Sequence, residues 1–243
     1  MKISMKKRKI GYTYGSVSGR YPFRGEKSIE FESRLEADLL TVLEFSPAVV
    51  DVEEQPFTII YEDEKGKERQ YTPDFLVWFK PNGCGTKILW PERREIPDPK
   101  PMLIEVKPRD ILRKRCAEFR PKFRAAVRYA ALNDMTFRIF DESRIHTTYF
   151  KNVRLVRRYR RYLYNEFEEE RIIGWVDALG HCSIDILLAT LRYTTERDRA
   201  MGMGHVYSLI ARKILACDMG RPIGIDTVVW LTDGEDRKRM KNG

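Results

Sequence analysis

Between residues 28 and 140 the spacing of apolar side chains switches from a helical to an extended period and back, and that order leaves few folds open. Phe31, Leu35, Leu39, Val42 and Leu43 recur at helical spacing and predict a helix over Ser28 to Phe45, stopped by Pro47. Val49 to Val52 and Phe57 to Tyr61 are rich in β-branched and aromatic residues, and the polar stretch Glu62 to Arg69, with Gly66, reads as a hairpin connection. Tyr71 to Phe79 returns as a strand, and Met102 to Val106 reads as a buried one. A helical region follows over Arg109 to Leu132, broken or restarted at Pro121, and Thr136 to Phe140 closes the run as a strand. The prolines and glycines of residues 80 to 101 exclude a regular element there. Helix, strands, helix, strand is the order of an α/β sandwich with a mixed central sheet.

The pattern changes after about Asp141. Tyr149 to Glu170 is helical and arginine-rich, Ser183 to Leu191 and Gly204 to Cys217 read as short helices, and Ile223 to Leu231 as a turn leading to a strand. Helices followed by a small β element predict a winged-helix-like module. Three segments result: a basic N-terminal arm over 1–27, an α/β domain over 28–148 and a mostly helical, winged-helix-like domain over 149–243.

Composition narrows the function. The chain carries 45 Lys and Arg against 36 Asp and Glu, a formal charge of +9, which points to a polyanionic partner. No apolar run approaches the roughly 18 residues that span a bilayer, and the start lacks the apolar stretch of a secretory signal, so a cytoplasmic location without a membrane partner is expected. That polyanion is nucleic acid or an anionic membrane surface, and with no basic amphipathic anchor or lipidation motif nucleic acid is favoured. The four cysteines form no CxxC and His146, His181 and His205 share no useful spacing, so neither a disulfide framework nor a zinc site is expected.

The chemistry gathers around the predicted sheet. Glu36 lies on the first helix, Asp74 in Tyr71-Thr72-Pro73-Asp74-Phe75, and Glu105 and Lys107 on the interior strand. Residues two apart on a strand share a face, so Glu105 and Lys107 point the same way. Such charges beside a buried strand are costly unless something occupies the space between them, and a hydrated Mg²⁺ beside a phosphate would do so. Asp74 and Glu105 would hold the metal, with the Val106 carbonyl and Glu36 completing the set. Lys107 would contact the scissile phosphate or orient the attacking water. Each residue also has a plainer reading. Ser33-Arg34-Leu35-Glu36 fits a helix capping box, Asp74 an ordinary turn carboxylate, and Glu105 with Lys107 an ion pair on an edge strand.

A helix carrying Glu, an Asp after proline, and then Glu-x-Lys on the following strand resemble restriction-endonuclease-like nucleases. The surrounding text, Glu36 to Phe45, Val49-Val50-Asp51-Val52-Glu53-Glu54-Gln55-Pro56, Tyr71 to Phe75 and Ile104-Glu105-Val106-Lys107-Pro108, resembles the TnsA family. TnsA is the endonuclease subunit of heteromeric cut-and-paste transposons. The resemblance implies a restriction-endonuclease-like core whose active site is Glu36, Asp74, Glu105 and Lys107. It implies Mg²⁺ or Mn²⁺ as cofactor and cutting of the non-transferred strand at the transposon's 5′ ends. As partners it implies transposon-end DNA, a DDE-type transposase, TnsB, and an AAA+ regulator, TnsC, contacted through the C-terminal part.

Basic residues crowd the chain after Lys107. Arg109, Arg113, Lys114, Arg115 and Lys122, with Arg120, Arg124 and Arg128, either line a DNA path or form a solvated helix face. Arg154 to Arg161, with interleaved tyrosines, is a second candidate phosphate contact. Two other functions compete with the transposon endonuclease. One is an autonomous restriction or repair nuclease that needs no partner. The other is a non-catalytic DNA-binding adaptor, against which the complete acid and lysine set counts.

Overall fold

The computed structural model describes residues 3–4, 17–81, 99–161 and 165–232. The chain divides into two units, Met1–Thr147 and Thr148–Gly243.

In the first unit the backbone of β1 (Ile3–Ser4) pairs with β5 (Thr58–Glu62). A hairpin, β2 (Gly19–Phe23) and β3 (Lys27–Phe31), precedes α1 (Arg34–Phe45). Two expectations change here. The helix expected from Ser28 starts only after Ser33, because Ser28-Ile29-Glu30-Phe31 alternates as a strand that buries Ile29 completely. The arm expected over 1–27 overlaps this hairpin, whose reversal places Arg24 and Gly25 at φ 53° and 79°; residues 5–16 lie outside the described residues. In α1, Leu39, Leu40 and Leu43 are fully buried, and the extended backbone at Ser46 ends the helix before Pro47.

β4 (Val49–Glu54), β7 (Phe75–Phe79), β8 (Met102–Val106) and β9 (Thr136–Phe140) form a mixed sheet in that order, antiparallel except for the last pair. The strand expected over Tyr71 to Phe79 is two. β6 (Glu68–Tyr71) closes the separate sheet β1-β5-β6, and β7 begins after Pro73, which lacks the N–H that continuous pairing requires. Residues 82–98 of the expected loop lie outside the described residues. The parallel β8 and β9 are bridged by α2 (Arg109–Lys114) and α3 (Cys116–Leu132). The helical break falls at Arg115 rather than Pro121, which sits inside α3. Pro121 forgoes one bond, to the carbonyl of the exposed Ala117, where water can replace it.

α3 covers one face of the sheet through Ala125, Ala126, Tyr129 and Ala130, packed on Ile59, Leu76 and Leu103. Phe75, Val77, Met102 and Ile104 alternate with Leu76 and Leu103, point to the other face, and are buried as well. α4 (Glu142–Ile145), capped by Asp141, ends the unit.

The second unit runs α5 (Thr148–Arg157), α6 (Glu166–Leu179), β10 (His181–Ser183), α7 (Ile184–Thr190), α8 (Glu196–Ala211), β11 (Leu215–Cys217) and β12 (Val228–Leu231). The helix expected over Tyr149 to Glu170 is divided between α5 and α6, the second capped by Asn165. The one expected over Gly204 to Cys217 starts earlier, at a Thr195 cap, and gives way to β11. The three strands make an antiparallel sheet in the order β10-β12-β11. Asn152, buried on α5, pins the segment between β11 and β12. Its Nδ2 donates to the carbonyls of Met219 and Arg221 at 3.0 and 2.6 Å, and its Oδ1 accepts from Ile223 N–H at 3.2 Å. No helix among the described residues is long and apolar enough to cross a membrane.

Candidate active site

The register Leu76 with Leu103 and Phe75 with Ile104 brings Asp74 and Glu105 opposite each other, on the face that α3 covers, where β7 and β8 part. Asp74 carries the pairing one step further. Its N–H donates to Ile104 O at 3.0 Å, and its Oδ2 accepts from Val106 N–H at 2.6 Å. On its other flank, Asp74 O accepts from Gln55 N–H at 2.9 Å, and Gln55 Nε2 donates to Glu32 Oε1 at 3.1 Å. Gln55 stands at φ 43°, an uncommon conformation for a residue that has a Cβ and precedes proline.

Lys107, two residues along β8's line, places its Nζ 3.4 Å from Glu105 Oε1 and 3.9 Å from Asp74 Oδ2. Of the four residues the sequence groups, Glu36, Asp74, Glu105 and Lys107, the structure brings the last three into contact. Two further side chains complete the cluster. Tyr71 OH donates to Glu105 Oε2 at 2.7 Å, and Lys122 Nζ, reaching down from α3, lies 2.9 Å from Glu105 Oε1. Glu105, only 1% exposed, is thus held by two lysines and a phenol. Tyr71 was not anticipated. Lys122 was placed among the DNA-facing cations, yet helical spacing puts it on the buried stripe between Phe119 and Phe123. Its ammonium sits about 5 Å from the ring centres of Tyr71, Phe119 and Phe123.

Glu36 fulfils its capping-box reading. Its Oε1 accepts from Ser33 OH at 2.8 Å, its Oε2 from Glu32 N–H at 2.7 Å, and its own N–H donates to Ser33 Oγ at 3.2 Å. Its charge still reaches the site. Burial raises its pKa, and Lys107 opposes that rise. Burial also holds Asp74 well above the carboxylate range, with repulsion from Glu105 and Glu36 adding to the rise and Lys107 opposing it. Burial works against the charge on Lys107, but attraction to Asp74, Glu105 and Glu36 outweighs it and lifts its pKa. Burial and Glu105 together raise the Tyr71 phenol well above its usual value. Asp74 and Glu105 share one lysine while Glu36 acts on it only through its field, and a hard divalent cation, which prefers oxygen donors, suits this acid pair. Asp74 Oδ1 makes no hydrogen bond among the described residues. Among those residues no three acid, histidine or cysteine side chains converge as a ready metal cage.

The other expected DNA contacts lie on the surface. Arg109 donates its N–H to Glu142 and approaches Asp141 at 3.9 Å, Lys114 lies 3.6 Å from Asp110, and Arg115 pairs with Glu118. Arg113 is exposed. Exposed pairs of this kind contribute little and exchange readily for phosphate.

A mixed β-sheet flanked by helices, with an acid pair and a lysine where two central strands part, is consistent with a restriction-endonuclease-like domain. Residues 46–142 match the family model described as TnsA-like endonuclease N terminal, so over this stretch, which includes Asp74, Glu105 and Lys107, the chain matches the TnsA family. No curated protein matches the chain.

Proposed function

We propose that this chain is the metal-dependent DNA endonuclease subunit of a heteromeric transposase, cutting the non-transferred strand at the 5′ ends of the element. The observation that carries this reading is the meeting of Asp74, Glu105 and Lys107 at the parting of β7 and β8, inside the stretch that matches the TnsA-like endonuclease domain. Asp74 and Glu105 would hold Mg²⁺ or Mn²⁺, with the Val106 carbonyl as a further oxygen and Glu36 contributing its field from α1. The ion supplies charge neutralisation at the scissile phosphate and a more acidic water. Lys107 holds its proton firmly between the acids and serves as a fixed positive charge toward the phosphate. Lys122 and Tyr71 fix the orientation of Glu105. Arg109, Arg113, Lys114 and Arg115 would follow the DNA backbone.

The second unit, in this reading, is winged-helix-like. Its succession α6, β10, α7, α8, β11, β12, with a three-stranded antiparallel sheet, supports that. It would meet an AAA+ regulator of the TnsC kind, while a DDE-type transposase of the TnsB kind cuts the other strand.

Strand-specific cleavage of labelled transposon-end DNA tests the reading, with Mg²⁺ and with the chain alone or joined by a transposase and an AAA+ regulator. Cutting of the 5′ strand only in the assembled mixture supports it, with loss of cutting in Asp74→Asn. Efficient cutting by the chain alone establishes an autonomous nuclease instead. DNA or partner binding without cutting under every condition establishes the adaptor.

A further inference from the structure

Among the described residues no strand pairs with the outer edge of β9. β9 ends the sheet order, and its bonds to β8 run through alternate residues, bracketed by Thr136 N–H to Pro101 O and Lys107 N–H to Phe140 O. The N–H and C=O groups of Phe137 and Ile139 therefore point away from the sheet, and they make no hydrogen bond among the described residues. A groove of about 830 Å³ lies beside them, between this edge and α3. Phe123, Phe137 and Ile139, all half-buried, line it, and Val127 stands in it 53% exposed.

Its helical wall is a stripe of arginines. Arg120, Arg124 and Arg128 follow one another at four-residue spacing, all exposed and all without an acidic partner among the described residues. Like charges at this spacing repel one another along a helix, and an acidic strand laid along the stripe would relieve that repulsion. Arg138 and Arg144 extend the positive lining, and Arg138 Nε is buried with no hydrogen-bond partner. Among the described residues that line the groove the one acid is Asp141, which already accepts bonds from Ser143 and Arg144 as the cap of α4.

We propose that this groove receives an extended, acidic segment of a partner protein, which pairs with β9 as an additional strand. Open main-chain groups give it hydrogen bonds, the apolar floor takes every second side chain, and the arginine stripe pairs with the acids between them. A strand matched to the five residues of β9 spans about 17 Å. A second copy of this chain is a poor occupant, since two arginine-lined edges repel. Duplex DNA would use the arginines but leave the apolar floor and the strand edge unanswered.

The probe is a capped seven-residue peptide alternating glutamate and valine, with fluorescence anisotropy as the binding measurement. Binding is expected to weaken at least ten-fold in the Arg120→Glu, Arg124→Glu, Arg128→Glu triple variant and several-fold in Arg124→Gln. It is also expected to weaken at least ten-fold for a peptide N-methylated at alternate amides. In the wild-type chain, hydrogen exchange at the Phe137 and Ile139 amides should slow at least ten-fold when the peptide is bound. These changes together support strand addition. Equal binding of the N-methylated peptide, or unchanged exchange at both amides, overturns it. So does no peptide binding, and duplex DNA binding that the triple variant alone abolishes would then assign the stripe to nucleic acid.

Discussion

The carboxylate of Asp74 occupies the position of a backbone acceptor, taking the Val106 N–H at 2.6 Å just beyond the last paired residues of β7 and β8. The side chain is therefore both part of the sheet and part of the acid cluster. Asp74→Asn keeps an oxygen for Val106 and removes a charge that Glu105 and Glu36 repel, so its melting temperature without metal should equal or exceed that of the parent. Asp74→Ala leaves the buried N–H unanswered and should lose about 1–3 kcal/mol. Both should abolish cleavage and the stabilisation that Mg²⁺ gives the parent. A melting series with and without Mg²⁺ reads all three, and unimpaired cutting by Asp74→Asn would remove Asp74 from the mechanism.

Lys122 is expected to act through Glu105. Lys122→Met removes one of two lysines from a nearly inaccessible carboxylate and should cost about 1–3 kcal/mol, less than a fully buried pair because Lys107 remains. Pairing it with Glu105→Gln should restore most of that loss. A double-mutant cycle in urea checks it, and strict additivity would show that the two do not interact.

Asn152→Ala should unfold the second unit early. It leaves two carbonyls and one N–H without their partner, at a cost of about 2–4 kcal/mol if water does not enter. Asn152→Asp keeps the acceptor but loses the two donated bonds, so it should not rescue. Urea denaturation followed by the fluorescence of Trp175 and Trp230, both in this unit, measures the loss.

His205 gives a pH signature. Burial lowers its pKa and Arg212 adds to the drop, while Glu169 and Glu168 oppose it. The unfolded chain therefore binds a proton more readily than the folded one. Stability that is intact above the unfolded value of about 6.5 should be lost as pH falls from there through the lower folded value. His205→Gln cannot take up that proton, so the gap in melting temperature between variant and parent should shift in the variant's favour between pH 7 and pH 5. A constant gap would refute the assignment.

The sheet strands were legible because Val49 to Val52, Met102 to Val106 and Thr136 to Phe140 are short, β-rich and bounded by breakers. The error at Ser28 has a simple origin: Phe31 and Leu35 are four apart, so a strand ending at one and a helix including the other imitate a single helix. Glu105 and Lys107 can be grouped because strand parity is local, whereas Asp74 joins them through its place after Pro73 at the head of β7. Tyr71 and Lys122 reach Glu105 from β6 and α3; helical spacing marks Lys122 as facing inward, but which strand residue either side chain meets leaves no trace in spacing. Glu36 is ambiguous in the sequence for a physical reason, since a helix cap and a metal ligand both call for a carboxylate at this position.

Gln55 gives the site a mechanical character. A side-chain-bearing residue at φ 43° persists only where its surroundings over-determine it, at about 1–3 kcal/mol of local strain. Its N–H grips Asp74 from β4 while Val106 grips the same residue from β8. Gln55 thus fixes the main chain that carries Asp74, and Val106 fixes its carboxylate. The strained residue sets where the acid is rooted, and the neighbouring strand sets where it points.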